Sequence, residues 1–144
     1  MDSNTRRQSF LPAVAALAAV AALGLFSFVL PTVLIGETLL PAPLSPLLRT
    51  SIEHMTWIPI AALVGIGFAA GMVTRLPPVL IALASVIALP IAMFAEIVAD
   101  PTSHNLFPFE LAMYLVLTIP PLLAALISRW LRGKMTGACG QIAD

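Results

Sequence analysis

The chain has 144 residues, 60% of them hydrophobic and 10% charged, and its mean hydropathy is +1.02. Soluble domains are roughly 45–50% apolar and 25% charged, so this composition excludes an ordinary soluble domain and predicts an integral membrane protein. The formal net charge is zero, with 7 basic and 7 acidic residues. Such a chain has no basic field to attract nucleic acid, and we predict no nucleic-acid partner.

Four apolar segments follow one another along the chain. About 20 helical residues cross the roughly 30 Å hydrocarbon layer of a bilayer. We therefore predict an all-α membrane protein with four transmembrane helices in an antiparallel bundle, at about residues 10–35, 55–73, 79–98 and 109–130. Residues 1–9 would be a cytoplasmic N-terminus and residues 131–144 a flexible cytoplasmic tail. The partners expected of such helices are the lipid bilayer and other membrane helices, from further copies or a larger complex.

The first segment has an alternative interpretation, because TRRQSFLPAVAALAAVAALG resembles a twin-arginine signal peptide. An extra residue separates the arginine pair from Phe10, and the apolar run to Ile35 exceeds the roughly 7–15 residues of a cleavable signal core. We therefore expect the segment to be retained as the first span.

The basic residues predict the orientation, because Lys and Arg in short flanking loops favour the cytoplasmic side. All of them except Arg49 flank the segments on one side: Arg6, Arg7, Arg75, Arg129, Arg132 and Lys134. Both termini should therefore be cytoplasmic (N-in/C-in). The expected location is the bacterial cytoplasmic (inner) membrane.

The second segment contains GIGFAAG, in which Gly67 and Gly71 form a GxxxG motif and Gly65 adds a third small residue. This spacing lets two helix backbones approach closely. We expect it to serve packing within the chain, with the alanine-rich first span as the partner helix. Dimerisation is the alternative.

Prolines lie in the middle of the third and fourth segments, Pro90 in the third and Pro120 and Pro121 in the fourth. Each removes a backbone donor and displaces the carbonyl four residues earlier. We predict a kink in each segment, stabilised by neighbouring helices, by Thr118 or by a trapped water. A broken helix lining a transport cavity is the alternative.

Acidic and histidine side chains collect at the predicted outer face, and the candidate cation or substrate ligands are Glu96, Asp100, His104, His54, Glu110 and Glu53. Pro108 and Glu110 also suit the first turn of a helix, and Glu53 fits a capping box with Thr50. Glu96 and Asp100 are four residues apart and share a helix face. An ionisable residue within a span is a functional hypothesis in its own right.

These ligands could converge on a divalent cation, although the chain lacks a compact ligand motif such as HExxH. Axial ligation of haem by His54 and His104 is a weaker alternative, and we predict no bound cofactor. The sequence has no GxSxG motif and no glycine-rich phosphate loop.

Three functions remain. We expect a non-catalytic accessory, assembly or interaction subunit in the membrane, and no enzyme. The first alternative is an oligomeric small-solute or cation transporter that uses Glu96 and Asp100. The second is an outward-facing, metal-dependent membrane enzyme.

Overall fold

The computed structural model describes residues 3–35, 56–99 and 107–140. Within these ranges the chain forms six helices and no strand: α1 (Ser3–Ile35), α2 (Trp57–Val73), α3 (Pro78–Val86), α4 (Ala88–Ala99), α5 (Phe107–Leu117) and α6 (Ile119–Gly140). The predicted all-α class is therefore confirmed for the part of the chain that the structure describes. Thr56 caps α2, where its side-chain oxygen accepts a hydrogen bond from the Ile58 N–H at 3.4 Å.

Three helical stretches are long and apolar enough to cross a membrane: Leu11–Pro31, Pro78–Ala95 and Pro108–Met135. The fourth apolar helix, α2, has 17 residues. At 1.5 Å per residue it is about 25 Å long, which is slightly less than the hydrocarbon thickness of a typical bilayer. Length and composition thus indicate a multi-pass membrane protein.

The first and last helices both extend beyond the predicted spans. α1 begins at Ser3, within the stretch expected to precede the first span, and α6 continues to Gly140. Residues 131–140 are therefore helical, and the cytoplasmic location and flexibility expected of residues 131–144 stay predictions. Near the end of its apolar stretch, α6 is held to the end of α2 by hydrogen bonds from Arg129 and Arg132.

The third and fourth segments are each interrupted once, three residues before a proline. Ile87 separates α3 from α4, and Thr118 separates α5 from α6. At both points the backbone makes an i to i−3 hydrogen bond: Ile87 N to Ala84 O at 3.4 Å and Thr118 N to Leu115 O at 3.1 Å. The interruptions lie where Pro90 and Pro121 predict disturbed helical hydrogen bonding.

The Thr118 side chain takes part in the interruption of the fourth segment. Its hydroxyl donates to the carbonyl of Leu115 at 2.6 Å, three residues earlier. Thr118 was one of three groups, with neighbouring helices and a trapped water, that the sequence offered for the carbonyls released by Pro120 and Pro121. The tightened turn brings the Leu115 oxygen within reach of the side chain. The hydroxyl therefore stabilises the turn itself.

The closest backbone approaches join segments that run in the same direction. Gly24 of α1 lies against the backbone of Ser85 in α3, while Gly67 and Gly71 of α2 lie against α6. Gly67 lies beside Pro121 and Gly71 beside Ala125, so the second segment is parallel to the fourth. Val20 shares a cluster with Ile81, and Phe28 shares one with Leu89, so the first segment is parallel to the third. These glycines thus pack between alternate segments of the chain. The antiparallel four-span bundle stays a prediction.

Side-chain size differs between the two core clusters. The larger cluster, around the interruptions and beyond them towards α4 and α5, contains Phe28, Leu63, Val86, Leu89, Met93, Tyr114 and Leu117. The smaller one, nearer the α2–α3 turn, contains Val20, Ile81 and Ala125. The larger cluster thus contains two aromatic side chains and a methionine, whereas the smaller one contains only aliphatic side chains.

Candidate functional site

The predicted acidic and histidine site is only partly visible. Glu110 lies in the first turn of α5, half-buried, as expected for an acidic residue at the positive end of a helix dipole. Glu96 lies in α4, but the position of its side chain is outside the described structure. The other candidates, Asp100, His104, His54 and Glu53, lie outside the described residues. Among the described residues no three His, Cys, Asp or Glu side chains cluster, and convergence of the candidate ligands stays a prediction.

Gly67 and Gly71 form a close contact with α6. A methyl group on Gly67 would lie 2.7 Å from the Cα of Pro121, and one on Gly71 would lie 2.9 Å from the carbonyl oxygen of Ala125. Both distances are shorter than a carbon atom tolerates. Gly67 and Gly71 therefore pack within the chain. Their partner is the fourth segment, whereas the sequence predicts the first span.

The contact with α6 is well suited to glycine because the facing residues are small or have a compact backbone. Pro121 and Ala125 are fully or almost fully buried, and so is Ser128. The Ser128 hydroxyl donates to the carbonyl of Ala125 at 3.0 Å, so its polar group is satisfied within α6. The α2–α6 contact is consequently close and its facing residues are buried.

Gly65 differs from both neighbouring glycines. A methyl group there would meet no other atom within 4 Å. Gly65 lines an apolar groove of about 500 Å³ between α1 and α2, together with Ala16, Ala19, Ala62, Ala69 and Ala70. Gly65, Ala19 and Ala69 are exposed, so the groove, hereafter the α1–α2 groove, opens to the surroundings of the protein.

Two arginines of α6 bind the carboxyl end of α2. One guanidinium nitrogen of Arg132 donates to the carbonyl oxygens of Met72 at 3.0 Å and Thr74 at 2.9 Å. Arg129 donates to the carbonyl of Arg75 at 3.0 Å. The last carbonyls of a helix lack intrahelical partners and carry the negative end of its dipole. The arginines thus neutralise that end and fasten the α2–α3 turn to α6.

A second pair of residues occupies another side of α6. The ammonium nitrogen of Lys134 lies 3.9 Å from the ring centre of Trp130, a cation–π contact. The Trp130 side chain is 59% exposed. Trp130 follows Arg129 by one position, which rotates its side chain about 100° around the helix. The pair therefore projects away from the α2–α3 turn that the arginines hold.

Sequence reasoning missed Gly24 and the structural role of the two arginines. Gly24 interrupts an alanine-rich helix and is followed by Ser27, whose hydroxyl donates back to its carbonyl at 2.7 Å. A lone interior glycine is a weak signal for close packing, since small residues surround it. The arginines had been assigned to orientation alone, because no local pattern connects residue 132 with residue 72. No family model, curated protein or solved structure matches the chain.

Proposed function

We propose that this protein is a non-catalytic interaction subunit that accommodates a transmembrane helix of a partner protein in the α1–α2 groove. The single observation that carries the proposal is the contrast among the three glycines of α2. Packing against α6 accounts for Gly67 and Gly71, whereas no contact within the described chain accounts for Gly65.

Glycine is unfavourable where nothing approaches it. In a helix it is about 1 kcal/mol less favourable than alanine, at least in water. Close approach of a second helix backbone offsets that difference, since small residues at the contact permit extensive van der Waals packing and short interhelical contacts. Gly65 and Ala69 are both exposed in the groove and are four residues apart. Small residues at this spacing are typical of close contacts between membrane helices.

The occupant proposed is a helix and not a lipid chain. An acyl chain is flexible and would fill a groove lined by alanine as well as one lined by glycine. A helix is rigid, and its approach is limited by the Cβ atoms that it meets. The open space over Gly65 therefore benefits a helix more than it benefits lipid.

The membrane arrangement is also part of this proposal. We infer four spans in the cytoplasmic membrane of a bacterium, with both termini in the cytoplasm. Support comes from the α2–α3 turn, where Arg75, Arg129 and Arg132 come together. A helix as short as α2 is accommodated either by local thinning of the bilayer or by flanking polar side chains that reach the interface. The Arg129 and Arg132 side chains already lie at its carboxyl end.

The helix-binding proposal predicts efficient photocrosslinking from the groove. A photoreactive amino acid at position 69 should form a covalent adduct with one membrane protein, identified by mass spectrometry of the full-length chain isolated from its native membrane. Gly65→Ile should lower the adduct yield at least about fivefold, because overpacking a close helix contact costs about 1–3 kcal/mol. Gly133→Ile is the matched control, since a methyl group at Gly133 also meets open space and Gly133 does not line the groove.

Three results would count against this function. The first is adduct formation with lipid alone. The second is an equal adduct yield from Ile91, which is exposed at 60% on α4 and outside the groove. The third is an unchanged yield in Gly65→Ile. A tagged version of the identified partner should reciprocally retain this chain, and Gly65→Ile should abolish that retention.

The topology predicts opposite activities for two fusions. A phosphatase that is active only outside the cytoplasm should be inactive when fused after Asp144 and active when fused after Leu44, because positive charge keeps the flanking segments inside. Expression of both fusions is measured by immunoblot. An active C-terminal fusion would contradict the N-in/C-in arrangement.

A further inference from the structure

The end of the bundle at the α2–α3 turn is strongly basic. Of the 7 Lys and Arg residues in the chain, four belong to it: Arg75 lies in the turn, and Arg129, Arg132 and Lys134 lie in α6. α1 is parallel to α3, with Gly24 beside Ser85, so its N-terminal part points towards this end. In the described residues of α1, the turn and α6 there is no Asp or Glu; the sequence adds only Asp2 and Asp144 near the termini.

The basic residues at this end differ in what they contact. Arg129 and Arg132 donate to three backbone carbonyls of the α2–α3 region. Lys134 instead lies over the ring of Trp130, on the exposed side of α6. An ammonium group has three donors, and stacking on a ring leaves donors directed away from it. The position of Trp130 near the end of the last apolar stretch, Pro108–Met135, is typical of the bilayer interface.

We propose that the Trp130–Lys134 pair binds the headgroup phosphate of an anionic phospholipid in the cytoplasmic leaflet. The inference rests on the proposed membrane orientation, and it is independent of the α1–α2 groove. Lys134 supplies charge-assisted hydrogen bonds to a phosphate oxygen, and the indole of Trp130 fixes the ammonium group at the depth of the headgroups. The surrounding arginines add a positive field that favours an anionic over a zwitterionic lipid.

The rigid attachment of α6 makes this a defined position on the protein. Arg132 holds α6 to the end of α2 two residues before Lys134. The phosphate-binding group is therefore fixed relative to the bundle and does not lie in a loose tail. A fixed basic residue beside an interfacial tryptophan can retain one lipid where a mobile basic tail would interact with many.

The two tryptophans of the chain allow a direct test. Trp57→Phe leaves Trp130 as the only tryptophan, so its fluorescence reports on this position. The full-length variant, in micelles of a neutral detergent, is titrated with dioleoylphosphatidylglycerol or dioleoylphosphatidylcholine. We expect a saturable change in Trp130 emission with the anionic lipid at concentrations where the zwitterionic lipid produces none.

Lys134→Gln in the same background should weaken phosphatidylglycerol binding about fivefold, corresponding to about 1 kcal/mol for one basic residue near an anionic surface. Arg49→Gln is the charge-matched control and should leave binding unchanged. Equal responses to the two lipids would overturn the proposal, and so would equal affinities in the Lys134→Gln and Arg49→Gln variants. Gly65→Ile, which tests the partner helix, should not alter lipid binding, so either idea can fail alone.

Discussion

Gly67→Ala is expected to lower the free energy of unfolding of the bundle by about 2–3 kcal/mol, because it overpacks a contact that has no flexible side chain to move aside. The added methyl group would lie 2.7 Å from the Cα of Pro121, and its other near neighbours are also Pro121 backbone atoms. Backbone atoms can be relieved only by moving a whole helix. We therefore expect α2 and α6 to separate, and the buried residues between them to become accessible.

The decrease in the free energy of unfolding is measured on the detergent-solubilised protein. Its helical circular dichroism is followed as the fraction of denaturing detergent rises. Gly65→Ala provides the internal control, because Gly65 lies two residues from Gly67 in the same helix but has open space around the new methyl group. Alanine is the better helix former by up to about 1 kcal/mol, so this variant should be as stable as the parent or slightly more stable. Equal stability of Gly67→Ala and Gly65→Ala would show that the α2–α6 contact is not close.

The same glycines show how far sequence reasoning reaches. Their spacing predicts a close helix contact, because GxxxG places two positions without side chains on one face. It does not identify the partner, since alanines or serines occur at similar spacing in the other segments. α6 is the partner because of its shape, in particular the compact surface formed by Pro121, Ala125 and Ser128. That surface exists only in the folded structure, where these residues face α2.

The prolines also separate features that the local sequence predicts from features that depend on tertiary structure. Loss of an N–H is a property of the residue itself, so interruptions near Pro90 and Pro121 could be predicted from their positions. Their location at Ile87 and Thr118 depends on which carbonyls the preceding turn can satisfy. Val86 and Leu117, which precede the two interruptions, belong to the same core cluster. This shared position is a tertiary feature that the sequence of one segment cannot predict.

The candidate acidic site illustrates a third limit. Glu96 and Asp100 share a helix face by their spacing alone, but a ligand site requires side chains from separate segments. Glu110 begins a different helix from the one that carries Glu96. Whether these groups meet depends on residues outside the described ranges, and transport through them therefore stays a prediction.

Arg132→Met is expected to loosen the α2–α3 turn while leaving the apolar part of the bundle folded. The substitution removes a half-buried guanidinium that donates to the carbonyls of Met72 and Thr74. Hydrogen bonds from a charged donor contribute roughly 1.5–3 kcal/mol each. Partial exposure and screening reduce that contribution, so we expect a combined loss of about 2 kcal/mol. Methionine keeps an unbranched apolar stem, so most of the packing is retained.

Hydrogen exchange gives the local measurement that this expectation requires. The amide of Thr74 donates to the carbonyl of Ala70 at 2.8 Å, and the Thr74 hydroxyl donates to the same oxygen at 2.7 Å. If Arg132 holds this turn closed, a loss of about 2 kcal/mol should speed exchange of the Thr74 amide about thirtyfold. Amides around Leu63, in the larger core cluster, should be protected as before.

Two further substitutions separate the geometry of Arg132 from its charge. Arg132→Lys keeps the charge but replaces a planar group with several fixed donors by a compact ammonium, so it should restore only part of the protection. Lys134→Met removes the same charge two residues away, where the structure shows a contact with Trp130, and should leave exchange at Thr74 unchanged. If Lys134→Met accelerated that exchange as much as Arg132→Met, general loss of positive charge would account for both. The paired carbonyl contacts would then have no specific part in closing the turn.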